Sequence, residues 1–310
     1  WYKMKSFLQE VSVGLSKKNK KLSSKWFYDF HGSILFEKIT KLREYYPTRT
    51  ERKILKNNKI EIAKKIGKNA VLIEPGAGDI KKVSIFMSTL DEPKKYIPLD
   101  ISKDYITKVS KGFKKKFPKV TIIPKGYDFS IDNKLPFKIN SSENVTIFFP
   151  GSTIGNFEKK DAIKFLRMLK SKFKAKKIIV GADLVKDIPT LISAYDDKKG
   201  ITAKFNKNIL QRINTELGGN INLNSYKHLV IYNKSKKRIE MRLKSTKKNK
   251  IKINGSKYLI KKNEEIHTEN SHKYTIKSFK KLANEAGWKI GKTWVDDRKL
   301  FSVHCLDLAR

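Results

Sequence analysis

At 310 residues, with 39% apolar content and one cysteine, the chain is long enough to bury a sizeable core, in one large domain or two interleaved ones. No apolar stretch approaches the ~20 residues of a membrane helix, and no charged-then-apolar leader precedes a small-residue cleavage site, so a soluble protein of the cytoplasm is expected, with no membrane partner. The formal net charge of +40 raises nucleic acid as a partner.

Its distribution argues against one. Lysines fill nearly every predicted loop, as in Lys17-Lys18-Asn19-Lys20-Lys21, Lys114-Lys115-Lys116 and Lys247-Lys248-Asn249-Lys250, whereas a recognition stripe would be localised. The preference for lysine over arginine, with many Ile and Asn, fits AT-rich coding drift at solvated positions.

Taken in chain order, the segment before Leu55 is helical and aromatic but has no sheet of its own, so it is expected to pack on a later domain. Asn69-Ala70-Val71-Leu72-Ile73 reads as a buried strand running into Glu74-Pro75-Gly76-Ala77-Gly78. Lys95-Tyr96-Ile97-Pro98-Leu99 is a second strand, ending in Asp100. Val120-Thr121-Ile122-Ile123 is a third, leading to Gly126-Tyr127-Asp128-Phe129. Residues 144–149 form a fourth, followed by the loop Pro150-Gly151-Ser152-Thr153-Ile154-Gly155-Asn156. The spacing of Ile163, Leu166, Leu169 and Phe173 predicts a helix over 158–173, and 177–182 is a fifth strand. Such alternation marks a parallel sheet built from βαβ units.

An insertion follows, with helices predicted near 188–194 and 208–217 and a hairpin of 228–232 with 238–244 around Asn233-Lys234-Ser235-Lys236-Lys237. The ending, 288–295 and then 300–308, reads as an antiparallel hairpin, like the sixth and seventh strands of a class I methyltransferase sheet. The expected fold is therefore α/β: a Rossmann-like, seven-stranded class I sheet (residues 50–185 and 273–310) with an inserted α+β domain (residues 1–49 and 186–272). The single cysteine, Cys305, falls in the apolar last run and suits a core position in a reducing compartment.

Glycines after the first strand and an acid about twenty residues on suit a nucleoside cofactor, either a nicotinamide dinucleotide or S-adenosylmethionine. The loop separates them. A dinucleotide site wants a third glycine where a helix N-terminus faces pyrophosphate. Here Gly78-Asp79-Ile80-Lys81-Lys82 follows instead, and the acids Glu74 and Asp79 flank the turn, repelling pyrophosphate but suiting a cationic sulfonium and its amino group. Asp128 beside Phe129 could bond and stack on adenine.

Longer motifs extend the pattern. Lys25-Trp26-Phe27-Tyr28-Asp29, Gly32-Ser33, Leu35-Phe36-Glu37, Tyr45-Tyr46-Pro47-Thr48-Arg49-Thr50-Glu51, Gly151-Ser152-Thr153-Ile154-Gly155-Asn156, Leu184-Val185-Lys186-Asp187 and Phe205-Asn206-Lys207-Asn208 together span nearly the whole chain. In these the chain resembles the S-adenosylmethionine-dependent histidine-specific Nα-methyltransferases, which make the trimethylated betaine of histidine, hercynine, for ergothioneine biosynthesis. The resemblance implies that Gly76, Lys82, Asp100, Asp128 and Phe129 contact S-adenosylmethionine, with Asp100 on the ribose hydroxyls. It implies that Tyr45, Asn156 and Tyr195 hold the amino and carboxylate groups of L-histidine, that Tyr28, Phe36 and Gly151 line the reacting end, with Tyr28 and Asn156 as catalytic residues, and that Glu269 and Ser271 bond the imidazole against Met241. Pro75 and Asp79-Ile80 depart from the family pattern, at the loop around the cofactor's methionine end.

Other readings share the fold. A nucleic-acid base methyltransferase is expected to follow its fourth strand with an Asn/Asp-Pro-Pro-aromatic loop, and Pro150-Gly151-Ser152-Thr153 stands there instead. An Nα-methyltransferase for another amino acid or amine is less firmly excluded, and a non-catalytic binding module is disfavoured because cofactor and substrate groups occur together. His31, His228, His267, His272 and His304 show no metal-ligand spacing, so no metal is expected and structural roles are assigned to them. A monomer with a small-molecule substrate and no specific nucleic acid is expected.

Overall fold

The computed structural model of the chain describes residues 2–78, 80–129, 132 and 134–309. Among them the strands are, in chain order, β1 (Ala70–Pro75), β2 (Lys95–Asp100), β3 (Thr121–Ile122), β4 (Lys125–Gly126), β5 (Asn144–Phe149), β6 (Lys177–Asp183), β7 (Tyr226–Asn233), β8 (Arg238–Ser245), β9 (Asn249–Ile253), β10 (Ser256–Ile260), β11 (Glu265–His272), β12 (Trp288–Val295) and β13 (Phe301–Leu308). They divide between two compact units. One holds the described residues up to Tyr45 together with Asp187–Ser271; the other holds Tyr46–Lys186 and the described residues from His272 onward.

The second, the sheet unit, is built on the order β12-β13-β6-β5-β1-β2-β3, with β4 also pairing with β2. Neighbours from β6 to β3 run parallel, while β13 is antiparallel to both β6 and β12. This is the order expected from the sequence, reversed last strand included, except that the third strand is split into β3 and β4, which makes eight strands where seven are expected. The parallel strands read as continuous apolar runs because both faces are covered. Val71, Ile73, Val145, Ile147 and Val180 enter one core with Phe165, Leu166 and Leu169 of helix Lys159–Ser171 and Phe279 and Leu282 of helix Ile276–Glu285. The alternate residues Ala70, Leu72, Phe148 and Ile179 enter the other core with Ile54 and Leu55 of helix Tyr46–Asn57 and Ile106 and Phe113 of helix Lys103–Lys116. Cys305 is fully buried on that second face, where burial pushes its thiol up to about 11.

Two sequence expectations change here. The helix that begins at Tyr46 belongs to the sheet unit, because Ile54 and Leu55 fill its core, so the unit boundary falls at Tyr45/Tyr46 and not after residue 49. In helix Lys159–Ser171, Ala162 and Phe165 take the buried stripe and Ile163 lies at its margin, half-buried.

The inserted unit carries the sheet β11-β8-β7, the hairpin β9-β10 and the long helix Ile201–Leu217. That helix starts seven residues earlier than the periodicity at 208–217 suggests. Asp197 accepts hydrogen bonds from the backbone N–H of Ile201 (2.9 Å) and Thr202 (2.7 Å), which satisfies the orphan donors of the first turn. Asn206 and Asn208, polar in the sequence, are buried in this helix at 0% and 4% exposure. Among the described residues no helix is long and apolar enough to cross a membrane.

Candidate active site

In the sheet unit the chain leaves β1 toward β2 on one side and later leaves β5 toward β6 on the other, so the order reverses between β1 and β5. Loops at the carboxyl ends of strands flanking such a reversal form the crevice where open α/β sheets take ligands. The two glycine-bearing loops predicted from sequence follow these two strands.

After β1, Gly76 has φ +69°, a conformation that favours glycine, and a Cβ built at Gly76 or Gly78 meets no heavy atom within 4 Å. Ala77 N–H donates to Leu99 O (2.9 Å), which ties this turn to β2, and Asp100 ends β2 with its Oδ1 accepting from Ser102 N–H (2.7 Å). β4 pairs with Leu99 and Asp100 and leads directly into Asp128 and Phe129. An open glycine turn, an acid at the next strand's end and an acid–aromatic pair beyond the third fit the nucleoside end of S-adenosylmethionine. Glu74 is buried and accepts from the Tyr96 hydroxyl (2.5 Å), so its charge faces a donor within the fold. Asp79, the other acid expected at the turn, lies outside the described residues. Phe129 is half-buried, its ring edge-on to Phe165 at 5.4 Å.

After β5, Gly151 (φ +80°) and Ser152 (φ +57°) are both left-handed, which turns the chain sharply into the 3-10 helix Thr153–Asn156. Ser152 is held in this costly conformation by its hydroxyl, which accepts from Asp183 N–H (2.9 Å). Gly151 N–H donates to both carboxylate oxygens of Glu51, each at 2.9 Å, and Lys82 Nζ lies 2.7 Å from Glu51 Oε2. Lys82, expected on the cofactor, is thus buried in an ion pair beside the Gly151 turn. Asn156 is half-buried and its amide makes no hydrogen bond among the described residues.

A second buried charge cluster ends β6. Asp183 accepts from the Tyr46 hydroxyl (2.8 Å), from Lys186 (2.6 Å) and from Lys273 (2.8 Å). Burial alone would raise the Asp183 carboxyl, yet Lys273 and Lys186 hold it below its ordinary value. Burial takes the Lys186 ammonium down to about 8, against the pull of Asp183. Neither Glu51 nor Asp183 was singled out from the sequence; an acid one turn before Ile54 and Leu55, and another closing the apolar run 177–182, were the available signals.

The inserted unit gathers the remaining residues. Tyr28 meets Phe36 edge-on at 5.6 Å and Phe205 at 5.3 Å, Phe36 meets Tyr45 at 6.2 Å, and Tyr45 meets Tyr195 at 6.1 Å. Edge-to-face packing of this kind fixes the plane of each ring. The Tyr195 and Ser271 hydroxyls are 2.7 Å apart. Ser271 and Glu269 are two residues apart on β11, hence on one face, and Met241 lies on the adjacent β8. Met241 is 1% and Glu269 8% exposed. The unit thus brings together Tyr28, Phe36, Tyr45 and Tyr195 through their rings, and Tyr195 and Ser271 through their hydroxyls. Asn208 Nδ2 donates to Phe27 O (3.0 Å) and Asp29 Oδ1 (2.8 Å), fixing the segment that carries Tyr28.

Comparison with known proteins shows the family of the chain. A family described as "Histidine-specific methyltransferase, SAM-dependent" matches residues 7–308. The histidine N-alpha-methyltransferase of Mycolicibacterium smegmatis is 32% identical over 295 residues, covering 93% of this chain and 90% of its own. That of Mycobacterium tuberculosis is 31% identical over 301 residues, covering 95% and 92%. Ergothioneine biosynthesis protein 1 of Neurospora crassa is 30% identical over 292 residues, 91% of this chain but 32% of its own. With a match over almost its entire length, the chain belongs to the family of S-adenosylmethionine-dependent histidine-specific methyltransferases.

Proposed function

We propose that this protein methylates the α-amino nitrogen of L-histidine, through to the trimethylated betaine, and acts as a cytoplasmic monomer. The carrying observation is the buried carboxylate of Glu269, with Ser271 on the same strand face and Met241 on the neighbouring strand. A carboxylate with a hydroxyl on the same strand face suits an imidazole N–H, a donor that a purely apolar side chain does not offer. Met241 supplies a soft apolar wall.

S-adenosylmethionine supplies an already activated methyl carbon. The protein's task is then positioning and water exclusion around a neutral amine. In this reading Asp100 bonds the ribose hydroxyls, Asp128 and Phe129 take the adenine, and Gly76 lets the backbone come close, while Lys82 acts beside the cofactor through its pair with Glu51. Tyr45, Asn156 and Tyr195 hold the amino and carboxylate groups of histidine, with Tyr28, Phe36 and Gly151 around the reacting nitrogen. The Asn156 amide, which makes no hydrogen bond among the described residues, supports its role, and the Tyr195 hydroxyl beside Ser271 supports theirs.

The test is Glu269→Ala assayed on histidine against a panel of amino acids, with methylated products counted by mass. Loss of a charge-assisted bond of about 1.5–3 kcal/mol lowers kcat/KM for histidine roughly 10- to 150-fold, leaves cofactor affinity nearly unchanged and narrows discrimination against phenylalanine and leucine. Equal turnover of histidine by both proteins removes Glu269 from the site; no turnover of histidine by the wild type removes the substrate assignment.

A further inference from the structure

The motif Phe205-Asn206-Lys207-Asn208 contains a side chain that is bonded into the strands carrying Met241, Glu269 and Ser271. Asn206 is fully buried on helix Ile201–Leu217. Its Nδ2 lies 3.1 Å from Arg242 O on β8 and 2.8 Å from His228 Nδ1 on β7, and its Oδ1 accepts from Thr268 on β11 (2.7 Å). Thr268 Oγ1 is also 3.0 Å from Met241 O. His228 Nε2 lies 2.9 Å from Tyr195 O.

The chemistry of these contacts permits one proton arrangement. Arg242 O can only accept, so the amide atom facing it is the NH2 group, and the same group donates to His228 Nδ1. Nδ1 is therefore an acceptor and carries no proton. Tyr195 O can also only accept, so His228 Nε2 carries the hydrogen. Both ends of the ring demand the same neutral tautomer, and a second proton on Nδ1 would face the N–H of Asn206, donor against donor. Burial favours this state by holding the imidazole below its ordinary value, against the pull of Asp196 and Asp197.

We propose that His228 and Asn206 form a positioning relay that fixes Tyr195 from behind and, through Thr268 and the β8 carbonyls, aligns the strands bearing Met241, Glu269 and Ser271, so that the relay sets affinity for the amino acid and leaves cofactor binding alone. This rests on the assignment of those residues to the histidine substrate. Tyr195 is then held at both ends, by Ser271 on its hydroxyl and by His228 on its carbonyl. His228 thereby exchanges the purely structural role assigned from sequence for one in substrate affinity.

Two variants divide the ring's two bonds. Glutamine places an N–H near the position of Nε2, whereas asparagine reaches only as far as Nδ1. His228→Asn loses the bond to Tyr195 O and raises KM for histidine roughly tenfold, with kcat within about threefold. His228→Gln keeps that bond, gives up the one from Asn206, and raises KM less, to within about threefold of wild type. Affinity for S-adenosylhomocysteine, read by calorimetry, is unchanged in both. Equal KM values for the two variants, or a parallel loss of S-adenosylhomocysteine affinity, overturn the relay while histidine remains the substrate. Where His228→Asn does not fold, the nitrogen-15 shifts of His228 in the wild-type chain decide: a proton on Nδ1 overturns the proposal and a bare Nδ1 upholds the tautomer it requires. A wild-type chain that does not methylate histidine refutes the function itself, a result separate from either.

Discussion

Replacing Glu51 with glutamine tests the buried ion pair beside the Gly151 turn. Glu51 is 1% exposed and receives three contacts: the Gly151 N–H at 2.9 Å on each oxygen and the Lys82 ammonium at 2.7 Å. Glutamine keeps the shape and loses the charge. Its NH2 group cannot accept from Gly151, and Lys82, only 8% exposed at its side chain, is left without its counter-charge. Breaking a buried pair from one side costs about 3–5 kcal/mol, a large part of the roughly 5–15 kcal/mol that holds a folded protein together. A paired change to Glu51→Gln with Lys82→Met removes the stranded cation and is expected to recover much of that loss, giving a coupling energy well above about 1 kcal/mol. Urea-dependent hydrogen exchange at the amides of β5 reports the stability of the sheet unit directly. A cost for Glu51→Gln below about 1 kcal/mol, or single changes that simply add in the double variant, would refute the account of this pair as a buried support of the turn.

Asp100→Ala is expected to weaken S-adenosylmethionine binding by about 1.5–3 kcal/mol, roughly 10- to 150-fold, with the fold intact; titration calorimetry showing unchanged affinity would place the ribose elsewhere. Acid should destabilise the protein well before ordinary carboxylates protonate. Burial holds the His267 imidazole down at about 4, so the group is neutral when folded but protonates when unfolded, and its contribution, present above pH 6.5, is lost as pH falls toward 4. Burial would raise Glu240, but its bonds to Arg242 and Arg238 hold it at about 2, so its contribution of about 3 kcal/mol is present above pH 4.5 and lost as pH falls from there toward 2. A thermal midpoint that stays level from pH 7 to pH 3 would contradict both.

The parallel strands were legible in the sequence because burial on both faces leaves an uninterrupted apolar run, as in β1 and β6, ended by Gly-rich or acidic turns. The final hairpin was legible from the buried run of β13 beyond the polar turn at residues 296–299, while half of β12 is exposed. The start of helix Ile201–Leu217 was not, because Asn206 and Asn208 break the apolar period while being buried through hydrogen bonds that involve residues far along the chain. The same limit hid the polar supports of the site. Glu51 meets Gly151 across 100 positions and Tyr46 meets Asp183 across 137, and no local pattern encodes such pairings. Motifs marked the candidate side chains; which residues serve as props for others emerged only from distances.

The cluster at Asp183 bears on how a protein can carry a long interruption within its sheet. Tyr46, Lys186 and Lys273 each lie within two residues of a point where the chain passes from one unit to the other, and all three converge on this one carboxylate. Where the chain departs after β6 and where it returns, the backbones are also joined: Tyr274 N–H donates to Asp183 O and Val185 N–H to Tyr274 O, both at 2.9 Å. The two ends of the interruption are thus stapled side by side within the sheet unit. Closing a loop costs entropy that grows only slowly with its length, and here the ends are pinned by bonds that do not involve the loop's contents. For the sheet, the length of the intervening segment then enters only through a slowly growing closure entropy, because the bonds at its two ends belong to the sheet unit itself.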